Sequence, residues 1–356
     1  MSISSPKVSF LVPVYNASEY GIGYLEQLCT SISAQTFSDF EVLFGDDGSS
    51  DNTREILQPF LRDPRFRLLS WKPNRGLHSN VFFLLNAARG EFWCPPGQDD
   101  ILDSRFLEKR LPLLASHPEA ALIHGGASWI DEKGNPYLSD TISRGLPELG
   151  RRLPGSLFGE RMIRILLQHN IINWPSTLVR MDITRLVLPF FSPYYHYAMD
   201  WVLWILLAAT GHDFLWDEEP LIQYRMHSQS ISGSPKRKVL RQVERKLAPM
   251  NALRAASQFS PLAKAVWFQE RTTLYQWWLS TAVGLSLKGA LRSQDMNFAA
   301  ECYYGTTPPS VKLWKELAIH GIPTALQYNR EKKANHKQIF PVSGLSLIDD
   351  PLFTDC

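Results

Sequence analysis

Two pairs of adjacent aspartates carry the chemistry this chain is equipped for. Asp46 and Asp47 open the run Asp46-Asp47-Gly48-Ser49-Ser50-Asp51 and follow the apolar stretch 41–44. Asp99 and Asp100 follow Gln98 and the apolar stretch 92–94. Each pair therefore stands where a short buried strand should end, and open α/β sheets bind their ligands at the carboxyl ends of their strands. Neighbouring carboxylates repel and resist ionisation together. A divalent cation relieves that repulsion, and oxygen ligands of this kind suit Mg²⁺ or Mn²⁺ bridging a substrate diphosphate. The two pairs point to a metal-dependent enzyme acting on a nucleotide-linked substrate.

The elements that must hold these acids read as strand–helix alternation. Apolar runs at 8–14, 40–44, 67–71, 92–94 and 120–124 predict five strands. Helical spacing of Leu25, Leu28, Cys29 and Ile32, and of Val81, Phe82, Leu84 and Leu85, predicts helices between them. Asp51 suits an N-cap, and Gly90 suits a helix stop. Such alternation implies an α/β fold with a largely parallel sheet and right-handed crossovers.

Past residue 129 the pattern loosens, and 139–156 reads as a loop rich in Gly, Pro and Arg. Helical periodicity returns at 162–167 and 201–209, and from about residue 236 strand signals largely vanish. Val239, Leu240, Val243 and Leu247 form one apolar face there, with Lys236, Arg237, Lys238, Arg241, Arg245 and Lys246 on the other. That basic face could meet anionic lipid headgroups, although a solvated face is the commoner outcome. The division expected is residues 1–235 for the α/β domain and 236–356 for a helical region with an irregular tail.

Composition narrows the class. The chain has 356 residues, 44% of them hydrophobic, and a net charge of +2, too balanced to argue for nucleic acid. Its four cysteines, Cys29, Cys94, Cys302 and Cys356, form neither a zinc pattern nor a disulfide framework, which fits a reducing compartment. Residues 1–7 hold no apolar signal core, and the longest apolar stretch, 201–209, is too short to span a bilayer. A cytoplasmic protein is expected, soluble or peripheral at the inner face of the membrane.

Taken in order, the motifs resemble those of the family 2 glycosyltransferases. They are Val12-Pro13-Val14-Tyr15-Asn16, Asp46 to Thr53, Asn74-Arg75-Gly76-Leu77-His78-Ser79-Asn80, Gln98-Asp99-Asp100, Met199-Asp200-Trp201 and Tyr224-Arg225-Met226-His227. The resemblance covers roughly residues 7–232, and its specificity lies in the order and strand-end placement of the pieces. It implies the GT-A fold and an inverting transfer from a nucleotide-diphosphate sugar to a hydroxyl of a glycan or lipid-linked acceptor. A role in cell-surface polysaccharide synthesis is implied by family analogy alone.

Carried over residue by residue, the resemblance gives Pro13, Tyr15, Asn16, Asp46, Asp47, Arg75 and Gln98 to the nucleotide. A carboxylate there can accept from a base N–H or a ribose hydroxyl; helix capping is the alternative, and it suits Asp51 better than Asp47. Asp99, Asp100 and His227 are given to a Mg²⁺ or Mn²⁺ ion, and Arg225 to the diphosphate. Here the chain departs from the family, because Gly97 stands where the first acid of its DxD motif is expected. Asp200 matches the general base of inverting members, with a plain N-cap as its alternative. A helix N-terminus lowers an acid's pKa while aromatic burial raises it, so its protonation stays open. Trp174 and Ser176, in the 173–177 loop, are candidates for the acceptor sugar, with core packing equally open for the tryptophan.

Two rivals are weaker. A sugar-phosphate nucleotidyltransferase needs a Gly-rich basic loop after the first strand, and residues 13–18 supply none. A nucleotide-sugar-binding scaffold without activity is kept alive by Gly97, and is opposed by the joint presence of Asp99, Asp200 and His227.

Overall fold

The computed structural model describes residues 5–21, 23–137, 159–191, 195, 197–230, 238–270 and 274. Contacts divide the chain into two units, one of residues 1–234 with 252–267, the other of 235–251 with 268–356. The first unit holds the sheets and every candidate site residue. In the second, 238–251 is helical, as part of a helix over Lys238–Ala256. Most of the basic face expected over 236–246 lies outside the residues whose side chains are described.

A seven-stranded sheet runs β3-β2-β1-β4-β8-β6-β9. Its strands are β1 (Val8–Val14), β2 (Phe40–Asp46), β3 (Phe66–Ser70), β4 (Phe92–Cys94), β6 (Ala120–Gly125), β8 (Leu178–Arg180) and β9 (Asp213–Asp217). β1, β2, β3 and β4 are parallel, and β1 and β2 are almost wholly buried, as expected of strands covered on both faces. β8 enters antiparallel between β4 and β6. At three residues it is too short to show a period in the sequence. A second sheet of three strands has the order β5-β10-β7, from β5 (Ile101–Leu102), β7 (Ser128–Ile130) and β10 (Ile222–Arg225). None of those three was anticipated.

Helices cover the large sheet. The ones used below are α1 (Ala17–Tyr20), α2 (Tyr24–Ser33), α3 (Thr53–Leu57), α4 (Leu77–Ala87), α5 (Phe106–Ala115), α6 (Gly159–Gln168), α7 (Met181–Val187) and α8 (Met199–Ala208). α4 packs closely on β2 because Gly45 has no side chain: Asn80 Nδ2 donates to Gly45 O at 2.6 Å. A Cβ on Gly45 would lie 2.0 Å from Asn80 Oδ1. α8 is buried along nearly its whole length, so it reads as a core helix. Among the described residues no helix is long and apolar enough to cross a membrane.

The strand order places a crevice. From β1 the chain winds outward through β2 and β3, then returns to lay β4 on the other side of β1. That reversal is a topological switch point, where open α/β sheets take their ligands. The ladder between β1 and β4 stops at Phe10 opposite Cys94, so residues 11–14 of β1 run on unpaired on that side. Both predicted acid pairs follow strands that flank β1.

Candidate active site

The rim of the crevice begins where β1 ends. Asn16 adopts φ 45° and ψ 47°, the left-handed region in which a non-glycine residue carries a Cβ cost. Local hydrogen bonds hold it there. Asn16 N donates to Ser49 Oγ at 3.0 Å, and Ser50 N donates to Asn16 Oδ1 at 2.9 Å. Tyr15, just before it, is 41% exposed. Tyr15 N donates to Gln98 Oε1 at 3.1 Å, which joins the β1 end to the loop after β4. Pro13 is half-buried on β1 opposite Gly45, within the stretch that β4 leaves uncovered.

The first acid pair builds the crevice wall instead of facing it. Asp46 is fully buried; its Oδ1 accepts from Ser49 N at 2.9 Å and its Oδ2 from Arg54 Nε at 2.6 Å. Burial by itself would push this carboxyl up, but the Ser49 and Arg54 bonds hold it below the usual carboxylate range. Asp47 is 2% exposed and accepts from Trp71 Nε1, Arg75 N and Gly76 N at 2.7–2.8 Å. Both carboxylates, expected at the nucleotide, here accept from protein donors in the crevice wall. Asp47 instead fixes the backbone of Arg75, whose exposed guanidinium lies 5.3 Å from the Phe83 ring. Asp51, expected as the N-cap, accepts from Thr53 N and from Ser18 N, while the N-cap of α3 is Asn52.

The second pair divides. Asp100 is 2% exposed, with Oδ2 accepting from Gly97 N at 2.8 Å and Oδ1 facing Arg225 N at 3.4 Å. Burial, and then the neighbouring Asp99 charge, push its carboxyl well above the usual range. Asp100, expected as a second metal carboxylate, is turned into the loop toward the Gly97 and Arg225 N–H groups. Asp99 stays partly open. Its Oδ2 lies 2.7 Å from His227 Nε2, across a sequence separation of 128 residues. Tyr20 of α1 and Tyr24 of α2 flank the imidazole, with ring centroids 5.7 and 5.6 Å away.

Arg225 departs furthest from expectation. It is 2% exposed, and its guanidinium donates to Asp99 O at 3.0 Å, Asp131 O at 3.2 Å and Gln27 Oε1 at 2.7 Å. It also stands 4.2 Å from the Tyr24 ring centroid, a cation–π distance. Its guanidinium, expected at the diphosphate, is turned inward to these three acceptors.

On the other flank Asp200 occupies the first turn of α8. Asn170, just after α6, donates from Nδ2 to Asp200 Oδ2 at 2.8 Å. Trp174 packs between Trp93 and Trp204, with centroids 5.8 and 5.4 Å away, yet keeps part of its surface open. Ser176 is fully buried, its hydroxyl donates to Asn173 O at 2.8 Å, and its carbonyl accepts from Arg110. Ser176, expected at the acceptor sugar, thus has its hydroxyl turned to the protein.

Several contributors carried no signal in the sequence. Gln27, Tyr24 and Asn170 are ordinary helix or loop residues until the fold sets them against Arg225, His227 and Asp200. Gly97 did carry one, as a departure from the DxD pattern. A Cβ there would lie 2.8 Å from Asp99 Oδ1 and from Asp100 Oδ2, so the two carboxylates occupy the space a side chain would need.

Residues 9–182 match the family described as glycosyl transferase family 2. An uncharacterized glycosyltransferase of Haemophilus influenzae is 25% identical over 234 residues, 64% of this chain and 68% of that protein. The chondroitin synthase of Escherichia coli is 34% identical over 131 residues, 36% of this chain and 18% of that protein. Among solved structures, S. aureus TarS 1–349 in complex with UDP-GlcNAc aligns with a TM-score of 0.58 at 16% identity, covering 84% of this chain and 80% of that one. The mannosyltransferase PcManGT of Pyrobaculum calidifontis, in complex with GDP-Man and Mn²⁺, gives 0.53 at 16% identity over 81% and 76%. At such identities the structural likeness speaks for the fold, and it agrees with the sheet order and the crevice. Over residues 9–182 the chain is similar to the family 2 glycosyltransferases, and its fold is like that of the solved GT-A glycosyltransferases.

Proposed function

We propose that this glycosyltransferase inverts the anomeric centre of a nucleotide-diphosphate sugar as it passes that sugar to a hydroxyl of a glycan or lipid-linked acceptor. The observation that carries the reading is the Asp99–His227 pair, 2.7 Å apart, at the mouth of the switch-point crevice. The solved relatives bound to UDP-GlcNAc and to GDP-Man support the donor class. The likeness to a polysaccharide synthase supports a glycan acceptor in polysaccharide synthesis.

One carboxylate and one imidazole fit a divalent ion. Mn²⁺ accepts such a mixed set, whereas Mg²⁺ prefers oxygen alone. Among the described residues no group of three Asp, Glu, His or Cys could hold a metal, so the remaining ligands would be diphosphate oxygens and water. Asp99 and His227 would hold the ion, which supplies charge neutralisation to the departing diphosphate.

The chain's own groups do the rest. Tyr15, Asn16, Arg75, Gln98 and the open edge of β1 at Pro13 shape the nucleotide side. Asp200, oriented by Asn170, accepts the proton of the acceptor hydroxyl as its oxygen attacks the anomeric carbon. The attack comes from the face opposite the leaving group, so a single displacement inverts the centre. The open edge of Trp174 offers an apolar face to a pyranose ring.

Two measurements test this together. A thermal-shift panel of UDP, GDP, dTDP and CMP with Mn²⁺ should single out the donor base, because a ligand bound only by the native state raises its apparent stability. Asp200→Asn should lower turnover by about 100-fold or more while donor affinity barely changes. Full activity in that variant would move the base elsewhere. Nucleotide binding by the parent without transfer to any acceptor offered would favour a binding scaffold.

A further inference from the structure

We propose that Arg225 is a positioning residue that sets the Asp99–His227 pair, and that Gln27 works through it. This rests on the metal-supported donor site read above. Asp99 belongs to the β4–β5 loop and His227 follows β10, so their meeting depends on how those segments are joined. The guanidinium of Arg225 is the joint. From β10 it reaches the carbonyl of Asp99 itself, the Asp131 carbonyl after β7, and the Gln27 side chain on α2. Its backbone N–H faces Asp100 Oδ1 at 3.4 Å.

The wall behind His227 is tied to the same group. Tyr24 stacks under the guanidinium, flanks the imidazole, and donates its hydroxyl to Glu132 O at 2.8 Å. Three segments distant in sequence therefore converge on the one planar fork that β10 carries. A lysine ammonium is a point donor and cannot reproduce three divergent bonds and a stacked face at once. Groups that orient metal ligands from behind matter to affinity: their loss typically weakens metal binding by about 10–100-fold.

The test compares Arg225→Lys and Gln27→Leu with the parent and Asp99→Ala. Mn²⁺ binding is followed by electron paramagnetic resonance in the presence of the nucleoside diphosphate that most stabilises the parent. Affinity for that nucleotide without metal is titrated in parallel. Arg225→Lys should weaken Mn²⁺ binding by about 10-fold or more and leave metal-free nucleotide affinity within about two-fold. Gln27 is exposed, so its variant should fold even if Arg225→Lys does not, and it should weaken Mn²⁺ binding by a few-fold. Unchanged Mn²⁺ affinity in both Gln27→Leu and a folded Arg225→Lys would overturn the positioning role, as would equal losses with and without metal. If Arg225→Lys cannot fold, unchanged affinity in Gln27→Leu alone overturns it. If Asp99→Ala itself keeps the parent's Mn²⁺ affinity, the metal site falls and takes this role with it, a result distinct from failure of Arg225 alone.

Discussion

Asp99 and Asp100 are adjacent in the chain and opposite in circumstance, and a glycine makes the difference possible. Gly97 has no Cβ, so Asp100 can fold back onto the Gly97 N–H while Asp99 leans toward His227. Any side chain at 97 must displace both carboxylate ends, which lie 2.8 Å from where its Cβ would be. Gly97→Ala should therefore break the bond to Asp100 and cost about 1–3 kcal/mol, the scale for stranding a buried polar group. Urea denaturation would check it; an unchanged midpoint would mean that the carboxylates move aside without loss. The same residues show why likeness of motif did not settle role. Asp47 and Arg225 match the family in position, yet here they spend their hydrogen bonds on the loops beside the site.

At the scale of elements, the small sheet brings Asp99 and His227 together. β10 lies between β5 and β7, with Gln223 opposite Ile101 on one side and Ser128 on the other. β5 follows directly from Asp99 and Asp100, and β10 leads directly to His227. Register in three very short strands thus decides whether the pair meets. Proline removes a ladder donor and is tolerated mainly at sheet edges. Gln223→Pro, in the central strand, should cost about 1–3 kcal/mol and abolish stabilisation by Mn²⁺ with nucleotide, while far-ultraviolet dichroism shows the large sheet intact. Retained stabilisation would mean the pair is set by other contacts.

For the molecule as a whole, His124 and Glu41 predict weakness in acid, while Asp100, held above the usual carboxylate range, acts in the opposite direction. His124 is buried on β6 beside Trp216, and burial, helped by the nearby Arg110 charge, pushes it down to about 3 from its ordinary 6.5. Between those values the unfolded chain binds a proton that the folded chain refuses, so stability falls as pH falls from about 6.5 toward about 3. Glu41 acts in the same direction at lower pH. Burial pushes it up, but bonds from Arg89 and Ser9 outweigh that and hold it below its ordinary value. Its stabilisation is present above that ordinary value and is lost as pH falls through the folded one. Denaturation of the parent and His124→Leu between pH 6.5 and 5 should show the parent losing stability faster, by up to about 1.4 kcal/mol per pH unit. Parallel curves would assign the acid weakness elsewhere.

The sequence by itself determined the parallel core and the edges of the crevice. Runs such as 8–14 and 40–44 are long enough to reveal a buried strand, and acids that end such runs can only lie at the sheet's ligand-binding edge. It also marked Gly97 as a departure and placed Asp99 and His227 in one site by resemblance. Tertiary structure alone decided which acids stay open and which are consumed. A carboxylate's role depends on the donors that reach it, and those of Asp46, Asp47 and Asp100 include backbone N–H groups that leave no trace in residue identity. Tertiary structure also decided the partners of Arg225 and the antiparallel entry of β8. Contacts across separations such as 126 and 198 residues, made by strands of three or four, are set by packing and carry no local period.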